Sequence, residues 1–351
     1  MKNITIIGAG KTGRGFIGRL LNGNNVDFID KNAELVDKLN QENGFMVSFF
    51  GNKAKPVSVK FNSVKTWDKV DKINSDVIIV SVGGTNLKDV GAMLKTRITS
   101  GQKIIVAENA SHPAKTLYDA IGIDGVEIAE STVFCTTIEK DGLNISSENY
   151  PYLQYDADAF SSQLCEIDGL KPIKNFGNFL TRKLYTYNSA SCIIAYLGYI
   201  KGYTIYSDAA NDEQILSLLD KNYEQINKAM CIEYGYEEND QKEFALLSRV
   251  KFTDKTIVDT IARNAREPQR KIPDKERVVG PLKLLLKHNL DSSVLEMTLA
   301  SMLLYTPSQE TEWIKMLNEN GFEGILSKLC LIEKNTDLYN RIIALVEKNI
   351  F

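Results

Sequence analysis

Ile4-Thr-Ile-Ile-Gly8-Ala-Gly10-Lys-Thr-Gly13-Arg-Gly15-Phe-Ile-Gly18, near the start of the chain, is the stretch whose reading decides the fold. Four β-prone residues, Ile4 to Ile7, run into three spaced glycines, and Phe16, Ile17, Leu20 and Leu21 follow at helical spacing. That is a strand, a tight turn and a helix. In a dinucleotide-binding turn the first glycine makes the bend, the second lets the backbone approach a pyrophosphate, and the third lets helix and strand pack closely. The phosphates then lie on the free N–H groups and the positive dipole end of the helix. Gly8, Ala9, Gly10, Lys11, Thr12, Gly13, Arg14 and Gly15 are therefore the candidate cofactor-binding residues of this turn.

Glycines also punctuate ordinary strand-to-helix turns, so the second half of the fingerprint decides. A second apolar run, Val26 to Ile29, ends in Asp30, about 20 residues beyond the glycines. An acidic side chain there accepts hydrogen bonds from the adenine-ribose hydroxyls and repels a 2′-phosphate. The sequence thus favours NAD over NADP.

Further along, a helical pattern (Ala33, Leu35, Val36, Leu39) precedes a hairpin-like pair, Phe45 to Phe50 and Val57 to Phe61. Apolar strands at Val77 to Val82, Lys103 to Ala107 and Val126 to Ala129 alternate with helical stretches near Asn86 to Leu94 and Ala114 to Ile121. Such alternation predicts an α/β Rossmann domain, doubly wound around a mostly parallel sheet. Its ligand residues should lie at the carboxyl ends of the strands, which adds Gly83, Glu108 and Asn109 to the cofactor set. Asp141 to Asn178 carries aromatic residues without clear periodicity and is assigned to the same domain. From Phe179 long helical periodicities take over. Ser189 to Ile200, Glu213 to Met230 and Val294 to Leu304 read as buried helices of an all-α C-terminal domain. The expected division is 1–178 and 179–351.

With 351 residues, 43% of them hydrophobic and 25% charged, the chain has the size for two domains and an ordinary globular make-up. A net charge of -3 argues against a nucleic-acid partner, which needs a broad basic surface. The chain begins directly on a strand and has no apolar run long enough to cross a bilayer, so a cytoplasmic protein without membrane association is expected. Cys135, Cys165, Cys192, Cys231 and Cys330 are scattered, with no CxxC and no histidine at ligand spacing. They read as reduced thiols, and neither a disulfide framework nor a metal site is expected.

A hydride-transfer enzyme acting on an alcohol needs a base for the hydroxyl proton and donors for the developing alkoxide. Of the two histidines, His112 follows Glu108-Asn109 at an expected strand end, and His288 reads as a structural histidine near a helix end. A stronger candidate is Arg182-Lys183-Leu-Tyr-Thr-Tyr-Asn188-Ser-Ala-Ser191, where the helical domain begins and an interdomain cleft is expected. On an ideal helix Lys183, Asn188 and Ser191 would spread over about 140°. Convergence therefore requires the long lysine stem or a non-helical start, and spacing alone reads Lys183 as a solvated helix lysine. Arg263, Arg266, Arg270, Lys271 and Arg277 form the one concentrated cationic stretch. Guanidinium forks suit a sugar phosphate or a carboxylate, and spacing alone leaves that role level with a solvated basic helix surface.

The start GAGKTGRGFIG, Phe28-Ile-Asp30-Lys-Asn32, RKLYTYNSASCIIAYLG from Arg182, Arg266-Glu-Pro268-Gln-Arg270-Lys271-Ile, Arg277 and Gly280-Pro281-Leu282 together resemble the polyol-specific long-chain dehydrogenases, the mannitol dehydrogenase family, over nearly the whole chain. The resemblance implies a two-domain, NAD-dependent oxidoreductase that works as a monomer without metal and uses a Lys-x4-Asn-x2-His motif. It implies Lys183 as general acid/base, Asn188 as partner of the substrate oxygen, and Arg266, Arg270, Lys271 and Arg277 as substrate-binding residues. Two positions depart from the family. Ser191 stands where histidine is expected, and Phe134-Cys135 where relatives commonly show Asp-Arg. Ser191 stays in the catalytic set as a hydrogen-bond donor, directly or through water, with His112 as a candidate substitute. The implied reaction interconverts a small-molecule polyol phosphate and a ketose phosphate, of the mannitol 1-phosphate and fructose 6-phosphate type. The alternatives are a hexuronate reductase acting on fructuronate or tagaturonate, and a catalytically weakened relative that binds NAD(H) and regulates.

Overall fold

A computed structural model describes every residue except Lys53, Ser111, Gln163, Cys165, Asn349 and Phe351, together with the side chain of Asn52. The reading of Cys165 as a reduced thiol therefore lies outside the described residues. The chain divides into two units, Met1–Gly177 and Asn178–Phe351.

The first unit contains β1 (Asn3–Ile7), β2 (Asn25–Ile29), β3 (Phe45–Phe49), β4 (Val57–Val59), β5 (Ser63–Lys65), β6 (Val77–Val80), β7 (Lys103–Ala107), β8 (Glu127–Thr132), β9 (Thr137–Glu139), β10 (Ile145–Ser147), β11 (Leu153–Asp156) and β12 (Leu170–Ile173). Its helices are α1 (Ala33–Glu42), α2 (Leu87–Lys95) and α3 (Pro113–Ile121). A helical segment over residues 11–20 follows β1. One sheet runs β12-β11-β8-β7-β6-β1-β2-β5, every neighbouring pair parallel except β8 with β11. Its central strands are apolar throughout because both faces are covered. Successive side chains point to opposite faces. Ile6, Phe28 and Ile79 thus join one core with Phe16, Ile17, Val36 and Leu39. Ile7, Ile29, Ile78 and Val80 join the other with Leu87, Leu94, Leu117 and Ile121. This is the doubly wound, mostly parallel arrangement that the alternation predicts.

The segment without periodicity supplies three short strands, of which β10 and β11 pair with strands outside it and β12 pairs with β11. β10 pairs in parallel with β3, completing a second sheet β4-β3-β10-β9, while β11 and β12 extend the first. In the large sheet the strand order turns back at β1, between β6 and β2, and a crevice outside the carboxyl ends of the strands opens at such a point.

The second unit is helical. It holds most of α4 (Phe176–Lys183), then α5 (Ser189–Ile200), α6 (Tyr206–Ala210), α7 (Glu213–Tyr234), α8 (Glu238–Thr253), α9 (Ile261–Ala265), α10 (Pro268–Lys271), α11 (Val279–Lys287), α12 (Ser293–Leu303), α13 (Thr311–Lys328) and α14 (Asp337–Glu347). α5 is apolar all round because it is the central helix, with Cys192 to Gly198 all buried. Gly198 lets its neighbours close in: a Cβ there would lie 2.7 Å from Ala209 Cβ on α6 and 2.9 Å from Ile261 Cδ1 on α9. Asp212 caps α7 by accepting from Gln214 N–H and Ile215 N–H, and Gly235 ends it in the left-handed region. Among the described residues no helix is long and apolar enough to cross a membrane.

Candidate active site

Gly8 sits at φ 100°, and a side chain there would run into Ser81 O; one at Gly13 would run into Gly8 O, and one at Gly15 into Ile145 of β10. These three are glycine for reasons internal to the fold. Gly10 is different. Its φ is not positive, and a Cβ there meets nothing within 4 Å, so the protein's own packing makes no use of its bareness. The space beside it is a cradle at the amino end of helical residues 11–20, where N–H groups and the helix dipole favour an anion. Lys11 is exposed beside it and Thr12 partly so. The helix runs as a π-helix over Gly13–Gly18, with Arg19 N–H reaching Arg14 O five residues back.

The residues expected at the strand ends lie there, and their side chains also shape the loops. Asp30 Oδ2 accepts from Ala9 N–H (2.6 Å) and Oδ1 from Asn32 N–H (2.8 Å). Glu108 Oε1 accepts from Val82 N–H (2.6 Å) and Gly83 N–H (2.7 Å), fixing the loop in which Gly83 takes φ 85°. Burial raises the Glu108 pKa, and the two N–H bonds oppose the rise. Asn109 ties the end of β7 to β8, its Oδ1 accepting from Thr132 Oγ1 (3.1 Å) and Val133 N–H (3.2 Å). The Arg14 guanidinium is 1% exposed, donates to Glu139 Oε1 at 3.1 Å and lies 5.8 Å from the Phe45 ring centroid. The helix turn thus offers the Arg14 backbone, while its side chain is directed at β3 and β9. His112 is exposed at the amino end of α3 with φ 46°. Phe134 stacks on Tyr150 at 5.2 Å, and Cys135 Sγ lies 3.2 Å from Ser147 Oγ.

In the helical unit, α4 ends at Lys183 and the next turn, Leu184–Asn188, is π-helical, with Ser189 N–H reaching Leu184 O five residues back. The extra residue changes which side chains share a face. In an α-helix Asn188 would stand about 140° round from Lys183. In the π-turn residues five apart take roughly the offset of residues four apart in an α-helix, about 40°. Ser191, three residues further along, falls about 20° to the other side. The turn is helical rather than the non-helical start the spacing allowed for, and its π form narrows the spread without relying on the lysine stem alone. Ser191 Oγ accepts from Tyr206 Oη at 3.2 Å, which leaves its own hydrogen to donate.

Lys183 is half-buried. Desolvation, then the cations Lys251 and Arg277, lower its pKa from the ordinary 10.5 to about 7. Lys251 stands on α8, far along the chain from Lys183. No spacing signal in the sequence links the two.

The cationic stretch separates into two groups. Arg266 and Arg270 are mostly exposed and share Glu267, at 3.9 Å and 3.0 Å, while Arg263 pairs with Asp259 at 3.0 Å. Lys271 and Arg277 turn inward. Lys271 is 4% exposed, donates to Asn264 O and has its pKa lowered to about 8, chiefly by burial. Arg277 pairs with Glu276 at 3.1 Å. His288 is bound to Glu233 (2.8 Å), the structural role expected of it. Among the described residues no group of three His, Cys, Asp or Glu side chains is placed to hold a metal ion.

Residues 175–321 match the mannitol dehydrogenase C-terminal domain, and residues 4–150 match the ketopantoate reductase PanE/ApbA family. Mannitol-1-phosphate 5-dehydrogenase from Clostridium acetobutylicum is 28% identical over 95% of this chain and 96% of its own. The enzyme of the same name from Caldanaerobacter subterraneus subsp. tengcongensis is 24% identical over 95% of both chains. Among solved structures, D-sorbitol dehydrogenase aligns with a TM-score of 0.78 over 99% of this chain and 94% of that one, at 13% identity. Mannitol 2-dehydrogenase of Pseudomonas fluorescens, solved with NAD and D-mannitol, aligns with a TM-score of 0.66 over 99% and 91%, at 11% identity. These two likenesses bear on the fold.

The crowding at Lys183 is directly measurable. Acylation of Lys183 as a function of pH, read by mass spectrometry of its peptide, should give a midpoint near 7. Lys251→Met removes a like charge, which favours the protonated amine and should raise that midpoint. A native midpoint near 10.5 would mean that the amine is solvated.

Proposed function

The chain belongs to the mannitol dehydrogenase family, and from that premise we propose that it is an NAD-dependent oxidoreductase interconverting a polyol phosphate and a ketose phosphate, mannitol 1-phosphate and fructose 6-phosphate being the pair. The name shared by its relatives supports the substrate. The observation that carries the chemistry is Lys183, whose pKa is lowered to about 7, so that about half of its amine is neutral at pH 7, and which has the cations Lys251 and Arg277 for neighbours. A lysine in that state is a base, and its surroundings suit an anionic substrate.

The first unit fits a dinucleotide. The cradle at Gly10 accepts a pyrophosphate against the backbone of Gly8 to Gly15, and Asp30 stands ready for the adenosine ribose. NAD when bound supplies the hydride acceptor. In oxidation Lys183 Nζ takes the proton from the substrate hydroxyl. Asn188 donates to the oxygen as negative charge develops, and Ser191, whose oxygen is already occupied by Tyr206, donates beside it. Lys251, Lys271 and Arg277 hold the phosphate, with Arg266 and Arg270 at the exposed rim. In reduction Lys183 returns the proton.

The test is NADH oxidation by the purified protein with fructose 6-phosphate, run beside fructose, fructuronate and tagaturonate. The phosphate should be preferred, and Lys183→Ala should lower its turnover by about 10²- to 10⁴-fold. Preference for a hexuronate would change the substrate class. NADH binding with no turnover on any of the four would remove the catalytic reading and leave the cofactor reading standing.

The two kinds of glycine separate in a second experiment. Gly10→Ala should leave the melting temperature unchanged and weaken NADH binding, because its methyl group projects into the cradle. Gly13→Ala should lower stability by about 1–3 kcal/mol, because its methyl group meets the Gly8 carbonyl. Native NADH affinity in Gly10→Ala would place the pyrophosphate elsewhere.

A further inference from the structure

A glutamine on α8 brackets the turn that brings Lys183 and Asn188 to one face. Gln241 is fully buried, at 0% exposure. Its Oε1 accepts from Arg182 Nε at 2.7 Å, and its Nε2 donates to Thr186 Oγ1 at 3.2 Å and to Asn227 Oδ1 at 3.0 Å. Both amide hydrogens and the oxygen are engaged. Arg182 immediately precedes Lys183, and Thr186 is the middle residue of the π-turn. One side chain therefore spans Lys183, from the last residue before it to the turn after it.

The anchorage on either side is rigid. Arg182 donates to Asp240 O (2.8 Å), pairs with Asp240 Oδ2 (2.7 Å), and lies 4.3 Å and 4.2 Å from the ring centroids of Tyr236 and Phe244. Such a sandwich suits the planar guanidinium. Thr186 is 1% exposed, so its hydroxyl has no ready exchange with water. An α-helical turn would satisfy the same backbone groups, so the backbone alone does not select the π form. Something outside the helix has to.

We infer that Gln241 is the positioning residue for this site: by holding Arg182 and Thr186 at fixed separation it keeps Leu184–Asn188 in the π form and so sets Lys183 against Asn188 and Ser191. Relaxation of that turn to an α-helix would swing Lys183 about 100° round from Asn188. The inference rests on Lys183 being the proton carrier for its importance to turnover. It does not need that role for its geometry.

The experiment compares Thr186→Val, Thr186→Ser, Gln241→Glu and Gln241→Leu in the full-length protein. Thr186→Val keeps the shape and loses the oxygen that Gln241 holds, whereas Thr186→Ser keeps that oxygen. Gln241→Glu keeps an acceptor for Arg182 and loses the donor to Thr186. Two quantities are read: the pH midpoint of Lys183 acylation, and kcat and KM with fructose 6-phosphate. In Thr186→Val and both Gln241 variants the midpoint should leave 7 for higher pH, and kcat should fall about 10- to 100-fold with little change in KM. Thr186→Ser should stay near native in both readouts. Where Gln241→Leu does not fold, Thr186→Val decides. An unmoved midpoint in Thr186→Val, or an equal movement in Thr186→Ser, would overturn the inference. If the native protein turns over no ketose phosphate, the acylation midpoints still test the positioning, so the two readings fail separately.

Discussion

Five is the wrong number of residues to bring two side chains together on an α-helix and a suitable number on a π-turn. Lys183 and Asn188 are five apart, and the helix that carries them is wound in π form over Leu184–Asn188. Much of the helical unit follows from that constraint. α8 lies against the turn and supplies Gln241, whose amide reaches both Arg182 and Thr186. The same helix brings Lys251 near the Lys183 amine, and Tyr206 on α6 orders the Ser191 hydroxyl. Buried polar groups are expensive unless each finds a partner, so a site of this kind is held by its full set of bonds.

The two units solve different problems with different means. In the first, the proposed recognition surface is backbone: three glycines are demanded by the fold, one is left bare beside open space, and acidic side chains tie the loops to which they belong. In the second, the proposed chemistry rests on side-chain charge drawn partly out of water. A lysine among other cations and away from solvent loses its proton near neutrality, and a neighbourhood of that sign suits an anion. Ser191 and Phe134-Cys135, where the resemblance expects a histidine and an Asp-Arg pair, are accommodated locally, the first by Tyr206 and the second by aromatic stacking on Tyr150.

What was legible in the sequence is what depends on neighbours along the chain. The strand, glycine turn and second strand ending in Asp30 stand as read, and α5 runs from Ser189 to Ile200 as its apolar texture predicts. β10, β11 and β12 were not legible, because strands of three or four residues are too short to leave a period, and β10 and β11 pair with strands outside their segment. The π-turns were not legible either. Spacing posed the problem of convergence at Lys183, to be met by the long lysine stem or by a non-helical start, and the structure has a π-turn there, packed against α8. Lys251 and Gln241 come from that same helix, whose exposed Leu246, Leu247 and Val250 leave no clear apolar stripe to read. The cationic stretch around Arg270 looked like one feature and is two, since which arginines turn inward depends on Glu267, Asp259 and Glu276 beside them.

The proposed role of Lys183 as base depends on the fold lowering its pKa to near neutrality. Its most direct test is the pH dependence of kcat/KM for mannitol 1-phosphate oxidation between about pH 5 and pH 10 with NAD saturating. Oxidation needs the neutral amine, so the account predicts a rate that rises with pH and levels off, with its midpoint near 7. A midpoint near the ordinary lysine value of 10.5, or no dependence on pH across that range, would contradict it.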